Sequence, residues 1–294
     1  MRTSLARLAV LLLLVPTVAF ASLRDTHEAL RDRLASSPFG QPLVLSATEE
    51  AKRVSGEVYA ELPYPFALAE QALANPGEWC EILMLPFNTK QCESSAKSDQ
   101  LFLTVFVGRK YTTPIGSTHR LEFHFRVDRE KDNMRVELTA PLGPFGTRAY
   151  LIVFELAPLD ASHSFLHFSY AYEYGAVARA AMGVYLSTIG AHKVGFTTEA
   201  AAGGGEAALV RGMRGVMERN TMRYYLAIEA YLRERNAPAD QRTARMIEDW
   251  FEAVERYPRQ LHELDRDEYV NMKRAEYDRM HALSRDPRTA SSSP

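Results

Sequence analysis

From Arg120 to Val127 apolar and polar residues alternate without a break, Leu121, Phe123, Phe125 and Val127 on one face and Arg120, Glu122, His124 and Arg126 on the other. That period of two predicts a strand with one covered face and one wet face. The same alternation runs through residues 53–62 (Val54, Val58, Ala60, Leu62) and returns at Met134, Val136 and Leu138. Residues 148–157 and 163–174 follow as two aromatic-rich strands, and Leu101 to Val107 is apolar on both faces. Lys131-Asp132-Asn133 and Pro158-Leu159-Asp160 are turn sequences between them. Strands in series joined by short polar turns predict an antiparallel meander, with one face in need of a cover.

Other stretches follow a helical period. Residues 23–35 place Leu23, Leu30 and Leu34 among charges, and Pro38 and Gly40 follow. Residues 66–75 have helix-forming composition and stop at Asn75-Pro76-Gly77, after which Trp79 to Leu85 is a short apolar segment. Residues 176–190 are Ala-rich with one charge, Arg179, and are expected to form an apolar helix serving as a lid, a transient membrane contact or a static core helix. Residues 193–198 fit one more strand, and Gly203-Gly204-Gly205 a joint. From 206 to 235 Val210, Met213, Met217, Tyr224, Ile228, Tyr231 and Leu232 recur at spacings of three and four, which predicts a long helix ending at Pro238. Two charged helices are expected over 239–256 and 265–284, then a disordered tail at 285–294.

The first 21 residues change the compartment. Arg2 and Arg7 precede an apolar run from Leu8 to Val15, and Ala19-Phe20-Ala21 fits a small-x-small cleavage site, so a secretory signal cut between Ala21 and Ser22 is expected. The run is short for a membrane span, which takes roughly 20 residues. In an oxidising compartment, the periplasm being the expectation, Cys80 and Cys92 as an even pair predict a disulfide. Without residues 1–21 the chain carries 33 basic and 37 acidic residues, formally −4. That balance argues against nucleic acid as a partner, which demands a cationic excess.

The order strand, short helices, meander, long C-terminal helix, with the segment PYPFALAEQALANPGEW running into the turn Asn75-Pro76-Gly77-Glu78-Trp79, resembles the START-like superfamily of polyketide cyclases and lipid-transfer domains. The resemblance implies an α+β helix-grip fold over about residues 50–235, a curved antiparallel sheet wrapped round a long helix. Residues 22–49 would be an N-terminal helical segment and residues 236–284 a C-terminal helical extension. It also implies an internal cavity for a lipid-like or other hydrophobic small molecule.

Aromatics and flexible Met suit such a cavity. The candidates are Phe123, Phe125, Tyr150, Phe154, Phe168, Tyr170 and Tyr172 on the strands and Met213 and Met217 on the long helix; an ordinary core has the same pattern. No catalytic residue is assigned and no cofactor is expected. The nucleophile elbow, the zinc-protease pair and the phosphate loop are absent, and His262-Glu263 lacks its second histidine. His163 and His167 share a strand face but have no third ligand nearby, so no metal is expected. Glu155 and Glu173 read as solvent-facing, the alternative being a buried acid with a raised pKa. Arg211, Arg214, Arg219 and Arg223 offer either an anion contact or a paired helix face. A periplasmic carrier of a hydrophobic molecule is the first functional expectation. A cavity enzyme of the cyclase or hydrolase type, or an interaction protein docking through its C-terminal helices, is the alternative.

Overall fold

A computed structural model describes residues 22–176, 179–180, 182–183, 192–200 and 207–285. The signal-like segment 1–21, the triple glycine and all of the tail after Arg285 lie outside the described residues, as does most of the expected lid at 176–190.

Eight strands form one antiparallel sheet in the order β1-β2-β8-β7-β6-β5-β4-β3. They are β1 (Leu43–Glu49), β2 (Arg53–Leu62), β3 (Thr89–Lys97), β4 (Gln100–Val107), β5 (His119–Glu130), β6 (Asn133–Leu142), β7 (Thr147–Pro158) and β8 (Ser164–Tyr174). β3 to β8 are the meander, each strand pairing with the next. The chain closes the far side by pairing β2 with β8, so the first two strands lie beside the last. Among the described residues Thr198–Glu199 (β9) pairs with Ala208–Leu209 (β10) alone, so the strand expected over 193–198 is reduced to part of a two-stranded ribbon outside the main sheet.

The α-helices whose bounds lie wholly among the described residues are α1 (Leu23–Ala35), α2 (Phe66–Leu73), α3 (Pro76–Leu83), α4 (Gly212–Glu234), α5 (Ala239–Glu255), α6 (Pro258–Leu261) and α7 (Arg266–Arg285). α1 begins with a capping box, Ser22 and Asp25 each accepting from the other's backbone N–H, an arrangement worth about 0.5–2 kcal/mol. Its Leu34 packs with Val44 and Phe165 on the outer face of the sheet. α4 lies on the inner face against β1, β2 and β8 and also touches α3. This is the helix grip, with α5, α6 and α7 added behind it.

Two features let the sheet close on α4. Gly56 in β2 faces the helix, and a Cβ there would fall well inside contact distance of Thr221 Oγ1 and 2.8 Å from Met217 Cγ. On the opposite flank of α4, Glu218 accepts from the backbone N–H groups of Phe196 and Thr197, and Arg219 donates to Val194 O at 3.1 Å. Residues 194–197 are thereby strapped across the helix, and Phe196 packs between Phe39 and Tyr257. Covered on most sides, α4 buries Glu218, Arg219, Thr221 and Glu229 as well as its apolar residues.

The C-terminal helices belong to the same core. Trp250 of α5 and Tyr269 of α7 meet Phe87 with ring centroids 5.0 and 5.5 Å apart. α7 lies on β3, where Lys90 pairs with Glu276 at 2.7 Å and Lys273 donates to Thr89 O and Glu276, both at 2.8 Å. Cys80 and Cys92 are joined in a disulfide that ties α3 to β3, as expected from their even count.

Candidate functional site

The meander places every second residue of its strands on the inner face. From β5 come Phe123 and Phe125, from β7 Tyr150 and Phe154, from β8 Phe168, Tyr170 and Tyr172; α4 brings Met213 and Met217 to the same core. All nine sequence candidates are therefore together, but they divide into two kinds. Phe154 and Met217 are 0% exposed, Phe125 and Phe168 2% and Phe123 4%, the closed packing of an ordinary core. Tyr150, Tyr172, Met213 and Tyr170 keep 7–9% of their surface uncovered.

Tyr224, three turns along α4 from Met213, joins the second group and was not among the candidates. It is half-buried, with its ring against Phe168 and Tyr170. The rings of this group pack on one another while keeping part of their surface uncovered. Tyr150 stacks on Tyr172 at 5.3 Å, Tyr170 lies 5.7 Å from Tyr172 and 5.6 Å from Tyr224, and Phe168 lies 6.4 Å from Tyr224. The signal that finds Tyr224 in the sequence is its place on the Met213–Met217 stripe, seven residues beyond Met217.

The hydroxyls give this group its chemistry. Tyr150 Oη lies 2.8 Å from Thr147 Oγ1. The phenol groups of Tyr170, Tyr172 and Tyr224 have no hydrogen-bond partner among the described residues; burial, with some push from neighbouring phenols, raises all three above the usual tyrosine value, Tyr224 to about 12. They stay protonated and able to donate at any physiological pH.

The remaining sequence candidates face elsewhere. Glu155 and Glu173 are on the outer face. His167 Nδ1 at 2.8 Å, helped by Arg135 at 2.6 Å, holds the Glu155 carboxyl below the usual range, so the raised-pKa alternative fails. Glu173 pairs with Arg148 at 3.1 Å. His163 contacts Asp160 at 3.0 Å while His167 stacks on Tyr59, and no cluster of metal ligands exists among the described residues. Of the arginines on and before α4, Arg214 donates to Ala47 O and Glu199, Arg219 to Val194 O, and Arg223 to Leu261 O and Glu263. These three clasp neighbouring segments of the chain.

Two cavities open at the seam of α2, α3 and α5. One of about 220 Å³ is lined by Glu78, Glu81, Tyr231, Arg242 and His281, among others. One of about 460 Å³ adjoins it at Glu78 and Arg242. Neither includes a predicted site residue. No helix among the described residues is long and apolar enough to cross a membrane.

No family model matches this chain, and no curated protein does. Among solved structures, it is similar to the human StAR-related lipid transfer protein 5 at 10% identity and a TM-score of 0.37, over 72% of this chain and 97% of that one. It is similar to the Zhui aromatase/cyclase from Streptomyces sp. R1128 at 15% identity and a TM-score of 0.36, over 64% of this chain and 98% of that one. A norcoclaurine synthase point mutant from Thalictrum flavum, bound to a transition-state analogue, gives 15% identity and a TM-score of 0.34, over 49% of this chain and 91% of that one. Likenesses at this level transfer no residue roles.

Proposed function

We propose that this chain is an exported binding or carrier protein that holds a lipid-like or other hydrophobic small molecule between the inner face of its sheet and α4. The observation that carries the reading is the tyrosine group: the rings of Tyr150, Tyr170, Tyr172 and Tyr224 meet on the inner side of the sheet and are incompletely covered. An apolar lining with a few convergent polar groups is the ordinary make-up of a small-molecule site. Binding rather than catalysis is favoured because Glu155, His167 and Glu173 face outward and are paired, and Glu49, the carboxylate that bears on Tyr172, already accepts from Tyr174 Oη.

The periplasm is proposed as the compartment. The three-part leader at residues 1–21 supports it, and so does the Cys80–Cys92 bridge. Cleavage before Ser22 is compatible with the first helix, since the new ammonium at Ser22 N would lie 3.1 Å from the Asp25 carboxylate. A native mass spectrum of the protein released from its own periplasm tests the whole reading. The expected species begins at Ser22, carries one disulfide and retains a small hydrophobic molecule that is lost on denaturation. A ligand-free chain that still carries residues 1–21 would overturn it.

A further inference from the structure

We infer that the molecule held between sheet and helix is uncharged and carries a hydrogen-bond-accepting oxygen, such as a ketone, ester or hydroxyl, directed at Tyr170, Tyr172 and Tyr224. The inference rests on the binding reading above and narrows it to a chemical class.

Three observations carry it. First, the polar groups that the tyrosine group presents between sheet and helix are phenols. Three of them lack a protein partner among the described residues, so each gains from an acceptor that a ligand supplies. Secondly, the charged groups nearest the tyrosines are already engaged. Glu49 accepts from Tyr174 Oη at 2.7 Å, Arg179 donates to Ala51 O and lies over the Tyr174 ring, and Arg223 pairs with Glu263 at 2.8 Å. A carboxylate or phosphate drawn between the tyrosines would leave water without meeting a counter-ion, a strongly unfavourable transfer. Thirdly, the phenols themselves stay neutral, since ionising one would bury an unpaired negative charge. A cationic ligand finds no buried anion there either, since Glu49, the carboxylate that bears on Tyr172, is exposed to solvent.

Three probes of nearly one shape separate these terms: 2-acetylnaphthalene, 2-ethylnaphthalene and 2-naphthoate, measured by equilibrium dialysis against the mature chain at neutral pH. The ketone is expected to bind about fivefold tighter than the hydrocarbon, the size of one net hydrogen bond. It should bind more than about tenfold tighter than the carboxylate. In Tyr170→Phe/Tyr224→Phe, and separately in Tyr172→Phe, the ketone should lose its advantage over the hydrocarbon measured on the same variant. Naphthoate binding as tightly as the ketone, or a ketone advantage that survives both variants, overturns the neutral-acceptor inference and leaves the cavity standing. If neither the ketone nor the hydrocarbon binds saturably, the cavity reading fails and this inference falls with it.

Discussion

Gly56 shows how a single position sets the spacing of the site. In a strand interior glycine forgoes a packing side chain, and it recurs where another backbone or helix comes close. Here the close neighbour is the Thr221 and Met217 turn of α4. Gly56→Ala should lower unfolding free energy by about 1–3 kcal/mol, the usual range for overpacking. Adding Thr221→Ala should recover part of that loss, and chemical denaturation of the single and double variants measures the coupling. Lys273 is a second informative residue. Burial, partly offset by Glu276, brings its ammonium down to about 8 from 10.5. Between those values the unfolded chain binds a proton that the folded chain does not, so stability rises with pH, by up to about 1.4 kcal/mol per unit. Above about pH 10 the sign reverses, because Tyr269 and Tyr277 hold their protons in the fold and release them on unfolding. Urea midpoints should thus climb from about pH 8 to pH 10 in the native chain, and Lys273→Met should flatten the climb. A native chain whose midpoints stay level over that range would contradict this account of Lys273.

At the scale of elements, the disulfide is the tie between the short helices and the edge strand. Its cysteines are 12 residues apart, a loop whose closure is worth roughly 3 kcal/mol in the chain-entropy model. Cys80→Ser/Cys92→Ser should lose about that much in guanidinium unfolding at unchanged m-value; a loss under about 0.5 kcal/mol would mean that α3 and β3 are held without it. The same region explains which elements were legible in the chain. β5 was plain because its outer face is wet and charged, which leaves the alternation intact. β1 was not, because α1 covers its outer face and Leu43, Val44 and Leu45 are all buried. β3 was hidden for the opposite reason: Thr89, Lys90 and Gln91 are polar yet buried, since α7 supplies Glu276 to Lys90 and Lys273 to Thr89 O. Such partners sit some 180 residues away and leave no local trace. The candidate site was partly legible. Period two put Tyr150, Tyr170 and Tyr172 on one face, but periodicity does not separate an uncovered tyrosine from a packed phenylalanine such as Phe154.

For the molecule as a whole, the extension after Pro238 is part of the fold. α5 and α7 meet Phe87 and β3, and Tyr231 near the end of α4 hydrogen-bonds Glu78 of α3, so the grip and its extension share one core. The sheet covers one side of α4 while the 194–197 strap and the C-terminal helices cover others, and the tyrosine group lies between sheet and helix. The central claim is that this interior, and not the seam at Arg242, receives the ligand. Photolabelling with benzophenone, itself a neutral aromatic ketone, followed by peptide mapping tests it most directly. The account predicts saturable adducts on Met213 or on residues 168–174, competed by 2-acetylnaphthalene and absent from peptides that face outward. Adducts confined to residues 235–246 or to the outer face of the sheet would contradict it.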